Sequence, residues 1–310
     1  MMQRNAFVCI DRATGDVRQD RVYTPVLLDW CYNSLIGRAV MDGVLIRPWV
    51  SQLYGWLQKR SCRQRRLRAF CETMGVDLSE SVRPLEFFRS LNDLIVRRID
   101  LSRRPINGDP AVCVAPVDGR FLVYPRLAVD TPFSIKRLLF DLRSFLRDDT
   151  LAATFDGGAM AVARLDLADY HHFHFPCAGA PRTVRTIRGR YHAMSPYARR
   201  GSIPVFRENT RAIVPIDTDA FGCIVMAEVG AFAVGSIRQC FVTGRRAAKG
   251  DHKGYFEFGA SLVALLFPPE TIMFDNDLLT NSAASMETYV RLGESIGRKV
   301  HGSLTSLTLP

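Results

Sequence analysis

The stretch Phe256-Glu-Phe-Gly-Ala-Ser-Leu-Val-Ala-Leu-Leu-Phe267 joins a turn of small residues to an uncharged apolar run. Gly259 and Ala260 form the small pair, and Ser261 opens the run. A run of this length without charges predicts a strand that is buried on both faces. The simplest interpretation of the residues before it is an ordinary turn into the core. A sharper turn would instead hold Ser261 close to the carbonyl that precedes it.

Outward from this strand, the chain changes character near residue 105. Between residues 24 and 57, apolar side chains recur at spacings of three and four, as an amphipathic helix requires, and a further helix is predicted at 84–98. After residue 105, short β-prone runs alternate with turn residues. We therefore predict an α+β fold, with a helical segment at 1–105 followed by a β-rich catalytic domain at 106–310.

The composition is that of an ordinary soluble globular protein, with 47% hydrophobic and 23% charged residues among 310. This balance excludes a disordered chain, a collagen and a protein with several membrane spans, and no apolar run is long enough for a spanning helix. The net charge of +10 favours an anionic partner, such as nucleic acid, an acidic lipid surface or an acidic substrate. The eight cysteines include no C-x-x-C pair, and their scatter is typical of a reducing compartment.

Directly after the apolar helical region, six cations fall within ten residues. They are Lys59, Arg60, Arg63, Arg65, Arg66 and Arg68. Together with the apolar helices they are suited to docking on an anionic membrane, where each basic residue contributes about 1 kcal/mol. The alternative is that the apolar stripe packs on the protein's own core and the arginines form a solvated face. Nucleic acid is not predicted as a partner, since no helix-turn-helix, RNP-like or zinc-knuckle signature accompanies the arginines.

Three of the six histidines lie in the segment Asp169-Tyr-His-His-Phe-His-Phe-Pro176. Because histidine titrates near neutral pH, such a cluster is suited to proton transfer. On an extended strand, His172 and His174 would share one face and His171 would lie on the other. A metal site would need a further ligand, and among the nearby Cys and carboxylate residues only Asp169 has a matching spacing. We therefore predict no metal site.

Taken in order, seven segments across residues 84–298 resemble motifs of the phosphatidylserine decarboxylase family. Ser90-Leu-Asn-Asp-Leu-Ile-Val-Arg-Arg-Ile99 is similar to the family's FNxFFxRxL segment, and the histidine segment is similar to DYHRFHFP. Gly254-Tyr-Phe-Glu-Phe-Gly-Ala-Ser261 is similar to the processing motif GxFxFGGS. The other matching segments are Arg104-Pro-Ile106, Pro116-Val-Asp-Gly119, Asn209-Thr-Arg-Ala-Ile213 and Val229-Gly-Ala-Phe-Ala-Val-Gly-Ser-Ile237. No single motif is specific, but chance does not readily produce all of them in this order.

Three departures from the family's motifs involve four positions. Leu94 and Ile95 replace a pair of Phe residues, which changes packing. His172 stands where the family has Arg, which alters an anion-binding or orienting contact. Ala260 replaces the Gly that precedes the processed serine, and glycine reaches strained backbone conformations that Ala resists. We therefore expect self-cleavage to be slowed or, in the extreme, lost.

The resemblance implies a self-processing enzyme whose cofactor is a covalent pyruvoyl group made from its own serine. The hydroxyl of Ser261 would attack the carbonyl of Ala260, with His174 as the base and Asp118 behind it, which resembles a Ser-His-Asp arrangement. The pair Gly235-Ser236 is a rival, since it keeps a true Gly-Ser, but it lies in a family segment that is not the cleaved one.

Cleavage would leave two fragments of one chain, 1–260 (the beta subunit) and 261–310 (the alpha subunit), with Ser261 converted to the pyruvoyl end. The resemblance then implies that phosphatidylserine forms a Schiff base with this group, because decarboxylation needs an electron sink that no ordinary side chain provides. Carbon dioxide leaves, His171 returns a proton, and phosphatidylethanolamine is released. The resemblance also implies a homodimer at the periphery of an anionic membrane, on its cytoplasmic face.

Two other functions stay open at this point. Some relatives of the family use the same pyruvoyl group on free amino acids such as tryptophan. A chain that has lost self-cleavage would instead be a lipid-binding or scaffold protein, and Ala260 is the residue that motivates this alternative.

Overall fold

The computed structural model describes residues 8–128, 133–135, 138–192, 205–231, 236–259 and 261–300. The helices described are α1 (Pro25–Asn33), α2 (Leu35–Val40), α3 (Pro48–Lys59), α4 (Gln64–Met74), α5 (Leu91–Ile95), α6 (Leu142–Leu146), α7 (Asp149–Ala153), α8 (Val205–Glu208) and α9 (Asn276–Ala283). A π-helical turn covers Met41–Leu45, and 3₁₀ turns cover Leu85–Phe87 and Leu101–Arg103.

The strands described in the first half are β1 (Val8–Asp11), β2 (Val17–Gln19), β3 (Val112–Val114), β4 (Gly119–Tyr124), β5 (Phe133–Ile135), β6 (Leu138–Phe140), β7 (Ala159–Leu165), β8 (His172–His174) and β9 (Gly179–Pro181). Those in the second half are β10 (Arg185–Ile187), β11 (Arg211–Thr218), β12 (Gly222–Gly230), β13 (Ile237–Gln239), β14 (His252–Phe256), β15 (Ser261–Phe267), β16 (Ile272–Phe274), β17 (Glu287–Val290) and β18 (Ser295–Lys299). The chain is therefore mixed α/β and rich in sheet.

The main sheet has ten strands, in the order β10-β11-β12-β15-β7-β4-β17-β1-β2, and β9 pairs with β11. Strand β15 lies in its middle, antiparallel to both β12 and β7. Alternate side chains of β15 enter the two hydrophobic cores on opposite faces of the sheet, Val263, Leu265 and Phe267 on one face and Leu262, Ala264 and Leu266 on the other. The predicted strand buried on both faces is confirmed.

A three-stranded sheet, in the order β13-β14-β8, carries the histidine segment. In the pairing of β14 with β8, His252 lies opposite His174 and Tyr255 lies opposite His172. Phe173, between the two histidines, is buried in the core cluster that also receives one face of β15. This shared core brings the histidine segment against the strand that begins with Ser261. A second three-stranded sheet has the order β16-β18-β3.

The prediction of a helical segment at 1–105 is only partly correct, because this part of the chain also contains two strands. Strand β1 pairs in parallel with β17, and β2 pairs with β1, so both belong to the main sheet. The helix predicted at 84–98 is also wrong in extent. A 3₁₀ turn comes first, and α5 begins only after Ser90, whose hydroxyl accepts a hydrogen bond from the backbone N–H of Asp93 at 3.0 Å. This N-cap starts a new helix rather than continuing an old one.

Helices α4 and α5 form a third hydrophobic cluster with the residues just before Ser261. Leu67 and Phe70 of α4 and Leu94 of α5 are buried there together with Phe258. The helical part of the chain thus packs directly on the turn that precedes β15. Among the described residues, none of the helices is both long and apolar enough to cross a bilayer.

Candidate active site

Ser261 lies at the start of β15 with its side chain fully buried. Its backbone is paired with Gly230 of β12 on one side and Leu165 of β7 on the other. Within the described ranges, the Ser261 hydroxyl has no hydrogen-bond partner. A buried hydroxyl without a partner costs free energy and calls for an explanation, and a reactive role is one such explanation.

The backbone two residues before Ser261 has an unusual conformation. Gly259 has φ of +134°, a backbone conformation that residues with a side chain rarely adopt. Ala260, the other half of the predicted cleavage site, lies outside the described residues. The conformation of Gly259 therefore indicates local backbone strain close to Ser261.

His171 is fully buried and reaches this turn. Its Nδ1 lies 3.0 Å from the carbonyl oxygen of Asp169, and its Nε2 lies 3.2 Å from the carbonyl oxygen of Gly259. Burial is the main reason that the pKa of His171 falls to about 4, so the ring is neutral at pH 7. A neutral imidazole carries one N–H for two carbonyl acceptors, so one nitrogen keeps a lone pair that can take up a proton.

His174 and Asp118 are both buried, but the hydrogen bond expected between them is not made in the described structure. His174 Nδ1 donates to the carbonyl of Gly250 at 2.8 Å, and its Nε2 lies 3.3 Å from the hydroxyl of Tyr170. The carboxylate of Asp118 accepts from Arg104 Nη2 at 2.8 Å and from the backbone N–H of Leu292 at 2.7 Å. The charge of Asp118 still raises the pKa of His174, although burial outweighs it and the pKa falls to about 4.

His172, the residue that departs from the family's Arg, belongs to a neutral pair. Its Nδ1 lies 2.8 Å from Nε2 of His252, and its Nε2 donates to the carbonyl of Val96 at 3.0 Å. The ring stacks on Tyr170 with centroids 5.0 Å apart. Burial lowers the pKa of His172 to about 4. In the described structure, this residue makes ring and backbone contacts where an arginine would bring a charge.

The three buried histidines predict a loss of stability in mild acid. The pKa of each of His171, His172 and His174 is about 4 in the folded chain, against about 6.5 when unfolded. Between these values only the unfolded chain binds the protons, so the free energy of unfolding falls as the pH falls through this window. Asp169 opposes the trend in part, because burial raises its pKa to about 6.

Urea titrations at pH 7, 6 and 5 should therefore show the free energy of unfolding falling by at least about 2 kcal/mol. His172→Gln removes one titrating ring and should make the slope against pH shallower, whatever its effect at pH 7. A free energy of unfolding that is flat from pH 7 to pH 5 would contradict neutral burial of these rings.

The residues just before Ser261 are held by the helical part of the chain. The carboxylate of Glu257 accepts from Lys59 Nζ of α3 at 2.9 Å and also from the hydroxyl of Ser236. The backbone N–H of Phe258 donates to Asn92 Oδ1 of α5 at 2.9 Å. Lys59 was predicted as part of the membrane-facing basic run, and here it is paired with the turn instead. The contacts made by Lys59 and Asn92 span well over a hundred residues of sequence, so no local pattern could have indicated them.

A network of buried charges supports the loop that carries the histidines. Arg120 Nε donates to Asp20 at 2.8 Å, and its guanidinium also binds the carboxylate of Asp169. Arg164 Nη2 donates to Glu287 at 2.7 Å and to Asp20 as well. The network ties β4, β7 and β17 to the residue whose carbonyl receives His171. Across the described part of the chain, no group of three or more His, Cys, Asp or Glu residues is arranged to hold a metal ion.

The fold and the site define a sheet-rich protein in which a buried serine begins a core strand beside a neutral, buried histidine. The chain belongs to the phosphatidylserine decarboxylase family, a family of carboxy-lyases. The family model described as phosphatidylserine decarboxylase matches residues 91–298. The resemblance drawn from the motifs is therefore confirmed.

Three curated relatives carry the name phosphatidylserine decarboxylase proenzyme. The protein from Chlamydia muridarum is 38% identical over 298 residues, which is 96% of this chain and 99% of the relative. The protein from Chlamydia pneumoniae is 38% identical over 289 residues, 93% of this chain and 96% of the relative. The protein from Chlamydia caviae is 36% identical over 293 residues, which is 94% of this chain and 97% of the relative. The similarity thus covers nearly the whole of each protein.

Proposed function

We propose that this protein decarboxylates phosphatidylserine to phosphatidylethanolamine and carbon dioxide, after it has cleaved itself before Ser261. The observation that carries the proposal is the buried, unpartnered hydroxyl of Ser261 at the start of β15, next to a turn that His171 contacts. The relatives' printed names give the substrate, and the word proenzyme in them agrees with a self-cleavage step.

The surroundings of Ser261 fit a pyruvoyl group made from this residue. In the self-cleavage step, Oγ of Ser261 attacks the carbonyl carbon of Ala260, and the C–N bond of that peptide breaks to leave an ester. Loss of the α proton of residue 261 then breaks the Cβ–Oγ bond of that residue, so that Oγ leaves as part of the carboxylate of Ala260. Water then releases the nitrogen of residue 261 as ammonia. The strained backbone of Gly259, two residues before Ser261, agrees with this route.

The two fragments, 1–260 and 261–310, would stay together after scission. Strand β15 pairs with β12 and β7, β17 pairs with β4, and β18 pairs with β3, so the short fragment contributes to two sheets. Both faces of β15 are also buried in hydrophobic cores. We propose a complex of the two fragments as the mature enzyme, and the homodimer implied by the resemblance stays a prediction.

We assign the base of self-cleavage to His174 and the return of a proton to His171. The hydroxyl of Tyr170 holds His174 Nε2, so Asp118 acts on this ring through its charge rather than through a hydrogen bond. The pyruvoyl group supplies the electron sink for the breaking carbon–carbon bond. His171 takes up a proton from water, and its Nε2 atom then delivers this proton to the carbon that has lost its carboxylate.

We also propose that helices α1 to α3 dock the protein on the surface of an anionic membrane, at its cytoplasmic face. Ten large apolar side chains in this region are exposed, namely Val26, Leu27, Trp30, Leu35, Ile36, Val44, Trp49, Leu53, Trp56 and Leu57. Trp49, Leu53 and Trp56 follow one another at spacings of four and three, so they lie on one face of α3. An exposed apolar surface of this extent is typical of an interaction site, and it disfavours the alternative in which the stripe packs on the protein's own core.

The arginines next to this surface give it a matching charge. Arg63, Arg65, Arg66 and Arg68 are all exposed, and the guanidinium of Arg60 lies 4.0 Å from the ring centre of Trp56. Apolar side chains flanked by cations are the combination that binds anionic bilayers. A substrate with two acyl chains stays in the bilayer, so a docking surface also favours the lipid over a free amino acid as substrate.

Replacing Trp49, Leu53 and Trp56 by serine should weaken binding to vesicles that contain phosphatidylserine by at least about tenfold. Changing Arg63, Arg65 and Arg68 to glutamine should weaken binding at low salt on anionic vesicles but not on neutral ones. Val242→Ser, at an exposed position outside these helices, is the matched control. Vesicle co-sedimentation measures the binding, and equal binding by all variants would reject the docking surface. Self-cleavage should be unchanged in each.

A further inference from the structure

Arg97, at the end of the motif around α5, is a buried cation with unused hydrogen-bond donors. Its side chain is 3% exposed, and its Nη2 donates to the carbonyl of Ala168 at 2.6 Å. Within the described residues, its Nε and Nη1 atoms have no partner. Burial lowers the pKa of Arg97, yet a guanidinium keeps its proton in proteins. A buried charge of this kind needs a compensating anion.

The side chain of Arg97 lines a polar cavity of about 170 Å³. The charged part of the lining consists of four arginines, Arg18, Arg97, Arg104 and Arg291, and four carboxylates, Asp77, Glu80, Asp118 and Asp169. A polar cavity with several arginines suits a small anionic group rather than an apolar one.

Three of the four carboxylates that line the cavity, Glu80, Asp118 and Asp169, are bound by other arginines, and the fourth, Asp77, is exposed to solvent. Arg104 binds Glu80 through Nη1 at 3.0 Å and Asp118 through Nη2 at 2.8 Å. Asp169 is bound by Arg120. Among the described residues that line this cavity, Arg97 is the buried arginine without an ion pair, whereas Arg291 is exposed to solvent. The charge of Arg97 is therefore the buried one that an incoming anion would compensate.

The cavity is adjacent to the proposed catalytic histidine. Arg97 donates to the carbonyl of Ala168, and His171 Nδ1 contacts the carbonyl of the next residue, Asp169, at 3.0 Å. The other ring nitrogen of His171 contacts Gly259, two residues before Ser261. The charge of Arg97 is among the causes that lower the pKa of His171, which agrees with a short separation. An anion on Arg97 would thus lie beside the reacting centre.

We propose that Arg97 binds the phosphodiester of the phosphatidylserine head group, an assignment that rests on the proposed function. The head group carries two anions, and only one of them suits a fixed cation. The carboxylate leaves as neutral carbon dioxide, so a cation bound to it would stabilise the substrate more than the transition state and slow the reaction. The phosphodiester keeps its charge throughout, so binding it positions the substrate without raising the barrier.

The test compares two soluble probes, glycerophosphoethanolamine, which has the phosphodiester but no carboxylate, and ethanolamine, which has neither. Calorimetric titration into the processed protein should show that Arg97→Met weakens binding of the first probe by about 10- to 100-fold and leaves the second unchanged. Arg97→Lys, which keeps the charge but not the planar group, should give an intermediate loss. Arg98→Met removes the same charge from the neighbouring exposed position and is the matched control.

In steady-state assays, Arg97→Met should raise KM for phosphatidylserine far more than it lowers kcat. If Arg97→Met does not fold, Arg97→Lys decides by the same two measurements. Unchanged binding of glycerophosphoethanolamine overturns the inference, and a raised KM with unchanged probe binding would move the contact to the carboxylate. A wild-type protein that binds glycerophosphoethanolamine through Arg97 but releases no carbon dioxide would instead contradict the proposed function.

Discussion

Ser261→Ala is expected to leave the chain in one piece and without decarboxylase activity. Without the hydroxyl, nothing can attack the carbonyl before residue 261, so neither the ester nor the pyruvoyl end can form. The activity should fall by at least about 10⁴-fold, since no other group in the site provides an electron sink. Because the Ser261 hydroxyl is buried without a partner in the described structure, its removal should not destabilise the fold. Intact mass and thermal unfolding of the same sample measure both effects.

Ser236→Ala is the matched control for this experiment. Ser236 belongs to the rival Gly-Ser pair, and its hydroxyl donates to Glu257 rather than standing free. This variant should still give both fragments, 1–260 and 261–310. Cleavage that persists in Ser261→Ala but stops in Ser236→Ala would place the processing site at the rival serine.

His171→Asn is expected to lower kcat by about 10²- to 10⁴-fold in protein that has still cleaved itself. Asparagine retains a hydrogen-bonding side chain, but its amide cannot deliver a proton near neutral pH. His174→Ala should have the opposite pattern, with self-cleavage slowed by a similar factor and a smaller change in kcat per cleaved chain. The fraction cleaved, taken from intact mass, normalises the rate of carbon dioxide release for each variant.

The two histidine variants separate the roles only if their effects differ. If His171→Asn remains uncleaved while His174→Ala cleaves at the normal rate, the two assignments must be exchanged. If both variants cleave and decarboxylate like the wild type, neither ring carries a proton in the reaction. The neutral state of both rings, caused by burial, agrees with rings that pick up and release protons within the cycle.

Strand β15 could be predicted from the sequence because its signal is local. The seven residues of Ser261–Phe267 carry no charge, and the six that follow Ser261 fill the two hydrophobic cores in alternation. Strands β1 and β2 had no such signal, since they have four and three residues and contain Asp11 and Arg18. Strand β1 forms because it pairs with the edge of β17, and β2 then pairs with β1. This pairing depends on the folded sheet and not on a local sequence pattern.

In the candidate site, too, residues within local motifs could be predicted, whereas contacts between residues far apart in sequence could not. The histidine segment and Ser261 could be found from motifs, but the partners of Asp118 could not. Its carboxylate is held by Arg104 and by the N–H of Leu292, which is 174 residues away in sequence. The sequence around Arg97 also does not indicate that this residue lacks an ion pair. Whether it has one depends on which arginines the fold places next to Asp118 and Asp169.

The intact mass of freshly purified wild-type protein shows whether the chain cleaves itself before Ser261. We expect two masses, those of residues 1–260 and 261–310, with the short fragment lighter by one ammonia than a peptide that begins with serine. We also expect ethanolamine to form an imine with the end of that fragment, and borohydride reduction should make this link permanent. A single mass of 34.8 kDa, with no ethanolamine attached, would contradict self-cleavage before Ser261.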